Sequence, residues 1–120
     1  MRAILIDPFT RTVSEIDTDA GLDDLYDVLQ VDLISVVQVG AGHAMILDDE
    51  GLLKSKIEQE YFQFVGVEQP FAGRAMILGD EYGESRPARL PLDEVEKRVV
   101  FLDKEKVDPD AWTGWTIHTF

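Results

Sequence analysis

AGHAMILDDEG at residues 41–51 and AGRAMILGDEYG at residues 72–83 are nearly the same sentence written twice, 31 residues apart. Their first seven residues differ only at the third, His43 against Arg74. Each AMIL run is short, apolar on consecutive residues and closed by an acidic, glycine-containing turn. Length and flanks favour a strand over a helix. Apolarity on consecutive residues means both faces of each strand are covered. Two similar strands, central or nearly so in one sheet, therefore anchor the fold.

Working outward, RAILID (2–7) suits a strand, PFTR (8–11) a turn, and TVSEID (12–17) a second strand, giving an N-terminal hairpin. Leu22, Leu25, Tyr26 and Leu29 fall on one helical face, with Thr18 or Asp19 as the cap before it. LISVVQV (33–39) reads as a strand, and GAG (40–42) as a break before the first AMIL. Residues 54–60 fit either a helical turn or a loop. YFQFVGV (61–67) reads as an aromatic strand, and EYGESRPAR (81–89) as a charged loop. Pro91 suits the first turn of a helix with Leu92, Val95 and Val99 on one face. VVFL (99–102) extends that helix or forms a last strand. The tail, with Trp112, Trp115, Ile117 and Phe120, is apolar enough to dock.

These elements add up to one α+β domain over residues 1–120: a mostly antiparallel sheet of five to six strands with two helices packed on it. The expected core is Ile4, Ile6, Leu22, Leu25, Leu29, Ile34, Val36, Met45, Leu47, Phe64, Met76, Leu78, Val95 and Phe101.

Composition narrows function by exclusion. There is no cysteine, which removes disulfides, thiolate catalysis and cysteine metal sites and fits a reducing compartment. No signal peptide or membrane-length apolar run is visible, so a cytoplasmic protein without membrane attachment is expected. The formal net charge is −13. Residues 7–50 hold eleven acids and one base; residues 51–120 hold thirteen acids and nine bases. Such a field opposes direct nucleic-acid binding, which needs phosphates neutralised by Lys and Arg.

Four stretches resemble a family of small uncharacterised proteins carried by bacteriophages, plasmids and integrated elements. They are RAILIDP, LDDLYDVLQVDLISVVQV, AMILDDEGLLKSK and AGRAMILGD, within residues 1–80. That family often has Leu-Pro-x-Asn after the acidic turn, where this chain has SKIEQEYF. The resemblance implies an accessory role in a mobile element and carries over no catalytic residue.

The chemistry-bearing residues are few. Two histidines, His43 and His118, and no G-x-S-x-G elbow give no basis for a nucleophilic triad. The acidic turns lack the calcium-loop pattern, although Asp48, Asp49 and Glu50 would need only strand pairing to approach Asp80 and Glu81. No catalytic residue, cofactor or metal is expected, and the protein reads as a non-enzyme. Two binding readings remain. In the first, Asp19, Asp23, Asp24 and Asp27 form an acidic face that engages a basic protein partner, in the manner of a nucleic-acid mimic. In the second, His43, Arg74, Arg86 and Arg89 flank a groove for a nucleotide-like anion. A free sheet edge leaves monomer and homodimer both open.

Overall fold

The two AMIL runs lie side by side and antiparallel. In a computed structural model describing residues 1–108, the first is β4 (His43–Asp48) and the second is β7 (Ala75–Glu81). Their register sets Met45 opposite Ile77 and Ile46 opposite Met76. Residues opposite each other in a ladder share a face. Equivalent residues of the repeat therefore face opposite sides of the sheet. Met45 and Leu47 belong to one core, Met76 and Leu78 to the other. Each copy needs apolar residues at consecutive positions because each is covered on both sides, and all six residues of β4 are buried.

Around this pair the main sheet runs β2-β1-β7-β4-β3, with β1 (Arg2–Asp7), β2 (Thr12–Asp17) and β3 (Ile34–Gly40). All its pairings are antiparallel. A sixth strand, β8 (Glu84–Arg86), hairpins onto the end of β7. Its two-residue turn, Tyr82-Gly83, has φ of 51° and 81°. Positive φ at both positions is the geometry that matches hairpin twist. A strand thus forms in 81–89, where sequence suggested a loop.

One face of the sheet carries α1 (Leu22–Leu29), which buries Leu25 and Leu29 against Ala3, Ile46, Met76 and Leu78. The other face is covered by a second, three-stranded sheet of order β6-β5-β9: β5 (Tyr61–Phe64), β6 (Phe71–Ala72) and β9 (Val99–Leu102). With α2 (Leu92–Arg98) it closes a core of Ile4, Ile6, Met45, Leu47, Ile77, Phe62, Phe64, Phe71 and Val95. The rings of Phe62 and Phe71 sit 5.5 Å apart and tilted. Residues 99–102 form β9, so α2 ends at Arg98. The α2 termini suit the helix dipole, with Asp93 and Glu94 first and Lys97 and Arg98 last.

The α+β class, six-stranded main sheet and two helices agree with expectation; the second small sheet extends it. Leu22 does not join the core: it is 58% exposed. Helical side chains lean toward the N-terminus, so the first residue of α1 overhangs the domain. Nor do Thr18 or Asp19 cap α1. Gly21 holds that position. Thr18 Oγ1 instead accepts from Ala20 N, and Asp19 Oδ1 from Gly21 N, which shapes the approach to the helix. Pro91 sits at the N-cap of α2, just ahead of its first turn. The docking expected of the aromatic tail falls outside the described residues.

Truncation at three leucine or isoleucine positions should separate these roles. Ile77→Ala and Leu25→Ala are each expected to cost about 2–5 kcal/mol. Leu22→Ala should stay within about 0.5 kcal/mol, as surface changes do. Urea unfolding of the three variants checks the ranking, and a Leu22→Ala loss equal to that of Leu25→Ala would contradict the burial described.

Candidate functional site

The acidic segment runs from the end of β2 through α1 to the approach of β3. Asp17 and Asp19 lead into α1, Asp23 and Asp27 project from it, and Asp32 follows it; all five are exposed. Among the described residues, Asp19, Asp23, Asp27 and Asp32 make no salt bridge, while Asp17 takes the N-terminal ammonium at 3.1 Å. The last turn of α1 holds no base to answer them. Asp24 differs from its neighbours. It is half-buried and accepts a hydrogen bond from Thr18 Oγ1, which ties α1 to the preceding turn. Its role in the fold is evident, and the exposed face is carried by the other acids. Two apolar side chains rise within this same segment, Leu22 and, at 51% exposure, Leu33. Sequence periodicity assigned Leu22 to the core and so missed it as surface.

The four residues expected around an anion groove do not converge. His43 stands opposite Gly79, at one end of the β4–β7 ladder. Arg74 precedes Ala75, which pairs with Leu47 at the other end. Antiparallel pairing sends positions at one end of each copy to opposite ends of the ladder, here about 17 Å apart at roughly 3.4 Å per residue. Arg74 is also engaged: its Nε donates to Asp7 Oδ2 at 3.2 Å and its guanidinium lies 4.8 Å from the Phe9 ring centroid. Arg86 sits between Glu84 at 2.7 Å and Glu81 at 3.5 Å. Arg89 alone adjoins His43; its Nη2 lies 3.4 Å from Ala41 O. A surface hollow of about 340 Å³, lined by Arg11, Thr12, Val13, Glu96 and Phe101, includes none of the four.

The same antiparallel geometry separates the acidic turns. Asp48 is buried, accepts from Glu50 N at 2.9 Å and pairs with Lys54 at 2.6 Å. Asp49 accepts from Ser35 Oγ. Asp80, near the far end of the ladder, accepts from Gln38 Nε2 at 2.8 Å. These carboxylates serve turn and strand contacts in two separate places.

His43 has a different occupation from the one expected. It is 1% exposed, and both ring nitrogens are spent on backbone. Nδ1 lies 2.8 Å from Ala41 O and so carries the proton; Nε2 accepts from Arg89 N at 2.8 Å and Leu90 N at 3.3 Å. This tautomer is a neutral imidazole. From the other side Arg2 Nη1 donates to Ala88 O and Leu90 O, at 2.9 and 2.8 Å. Arg2 and His43 thereby clamp residues 88–90, the link from β8 to α2. Close packing enforces the same path: a Cβ at Gly79 would come within 2.7 Å of Pro87 O. Nothing in the local sequence around Arg2 or His43 announced a contact with residues more than forty positions away.

Burial pushes the His43 pKa below the ordinary imidazole value of 6.5. The charges of Arg89 and Arg2 act in the same direction, against the raising effect of the Ala41 carbonyl. The folded state therefore binds fewer protons than the unfolded state below that value. The stabilisation is complete above about pH 6.5 and declines as pH falls toward the lowered folded value. The urea midpoint should drop between pH 7.5 and 5.5. His43→Gln should lose stability at pH 7.5 and flatten the drop; a variant with the wild-type slope would show that another group causes it.

Among the described residues, no helix is long and apolar enough to cross a membrane. No curated protein and no solved structure gives a significant match to the chain. A family model described as a domain of unknown function, DUF3846, matches residues 1–100. That span includes all six strands of the main sheet and both α-helices, and the chain belongs to this family.

Proposed function

We propose that this protein is a non-enzymatic accessory protein that binds a basic protein partner through the acidic surface along α1. The observation that carries this reading is the open row Asp19, Asp23, Asp27 and Asp32, exposed and without a salt bridge among the described residues. Asp23 and Asp27 are one helical turn apart, a spacing of about 6 Å that suits a partner used to holding successive phosphates. Like charges at that spacing disfavour the helix by a few tenths of a kcal/mol. A partner's Lys or Arg side chains would relieve that repulsion. The exposed Leu22 supplies what charge alone lacks, an apolar anchor inside a charged surface. The resemblance to proteins of mobile elements supports an accessory role of this kind, in a cytoplasmic setting.

Asp48, Asp49, Asp80 and Asp24 do not enter this surface argument, because each already serves the fold. The nucleotide-anion alternative has no comparable support, since His43 and Arg74 lie at opposite ends of their strands.

The test is recovery of bound proteins from a lysate of the native host, with wild type beside Asp19→Asn/Asp23→Asn/Asp27→Asn. A specific partner retained by wild type should be recovered about tenfold less by the triple variant, and less still at raised salt, as expected for charge-driven association. Equal recovery by both proteins sinks the acidic-face reading.

A further inference from the structure

The main sheet ends on two long strands, β2 and β3, and they differ in kind. Edge strands are usually shielded by charge, proline or brevity, because their free amides and carbonyls pair readily with another strand. β2 carries Glu15 and Asp17. β6, β8 and β9 are two to four residues long. β3 is seven residues long, ISVVQVG, without a charge or proline. No charged side chain occurs between Asp32 and Asp48.

The hydrogen-bond phase identifies which groups of β3 have no strand partner among the described residues. Asp80 N donates to Gly42 O at 2.8 Å, in register with the Ala44↔Leu78 pair. Even-numbered residues of β4 therefore bond to β7, and odd-numbered residues bond to β3. Val37↔Met45 and Ser35↔Leu47 are the bonded pairs on that side, and Asp49 N to Leu33 O at 3.1 Å continues the series. The N–H and C=O groups of Ile34, Val36 and Gln38 are left pointing away from the sheet.

We propose that β3 is a self-association edge, which pairs antiparallel with β3 of a second copy of this chain to make one continuous sheet. The two-fold register that uses all three outward residues is centred on Val36. It sets Val36 against Val36 of the second copy and Ile34 against Gln38, with a mutual pair of hydrogen bonds at the centre. Charge selects the same arrangement. One end of β3 begins after exposed Asp32. At the other end, Arg98 Nη2 lies at 3.3 Å from Val39 O. In the two-fold register Asp32 of each copy arrives at Gly40 of the other, next to the Val39 carbonyl that Arg98 holds. Acid meets base twice, locally offsetting the repulsion between two chains of net charge −13. Leu33, half exposed beside the edge, gains cover in the same contact. This edge is separate from the acidic α1 surface, and its failure would leave the partner reading intact.

Sedimentation equilibrium of the full chain over a wide concentration range reads the outcome. The wild type should move from 13.5 kDa toward twice that mass as concentration rises. Val36→Pro removes the central N–H from an outward-facing position that an edge strand tolerates. It should remain monomeric with wild-type circular dichroism. A charge swap covers the case in which that variant misfolds. Asp32→Arg and Arg98→Asp should each weaken association by about tenfold, and the double variant should restore most of it. Wild type that stays at 13.5 kDa throughout overturns the proposal. A dimer indifferent to both Val36→Pro and the charge swap overturns it equally.

Discussion

Everything in this fold depends on the antiparallel ladder between β4 and β7. It joins the N-terminal hairpin on one side to β3 on the other. Through its two faces it also joins the α1 layer to the second sheet. The constraint is double burial. A strand covered on both sides cannot use alternation, so its central residues must be apolar or small. AMIL meets that condition whichever face a given residue takes. The one-residue stagger between the copies exploits this: Met45 fills the core under the second sheet while Met76 fills the core under α1. A strand of alternating polarity could not tolerate the exchange, because a one-residue shift would put its polar side chains inside.

The repeat made the central strands legible, and the branched apolar run at 2–7 with the alternation at 12–17 gave the hairpin, because these signals are local. Leu25, Leu29 and Val95 were equally readable from helical spacing. What the chain concealed was distance. The clamp of Arg2 and His43 on residues 88–90 joins segments 46 and more positions apart. No periodicity encodes that. The anion groove looked plausible because equivalent positions of a repeat invite symmetry. Pairing direction, invisible in composition, put His43 and Arg74 at opposite ends. Leu22 failed for a related reason: helical spacing tells which face a residue takes and not whether the sheet extends beneath it.

His43 illustrates how one buried polar side chain can organise a junction without chemistry of its own. Its ring bridges the β3–β4 turn to the approach of α2, using the donor on one nitrogen and the acceptor on the other. A buried polar group is tolerable when its capacity is filled, and here the backbone fills it. The acids divide in the same way. Asp24, Asp48, Asp49 and Asp80 are consumed by the fold, whereas Asp23, Asp27 and Asp32 stay open to solvent. Counting carboxylates in the sequence could not make that division; tracing their hydrogen bonds does.

The order of strands has a consequence for how the chain is made. β7 lies between β1 and β4, yet it follows both in the sequence. During synthesis the β1–β2 and β3–β4 hairpins and α1 emerge first, as two pieces with no strand between them. Until residue 81 has left the ribosome, the inner edges of β1 and β4 stand open and AIL and AMIL face water. Final assembly must therefore wait for a single insertion that completes two ladders at once, a non-local step of the kind that slows folding. The nascent chain is most exposed to mispairing in that interval, and the arrival of the second heptapeptide ends it.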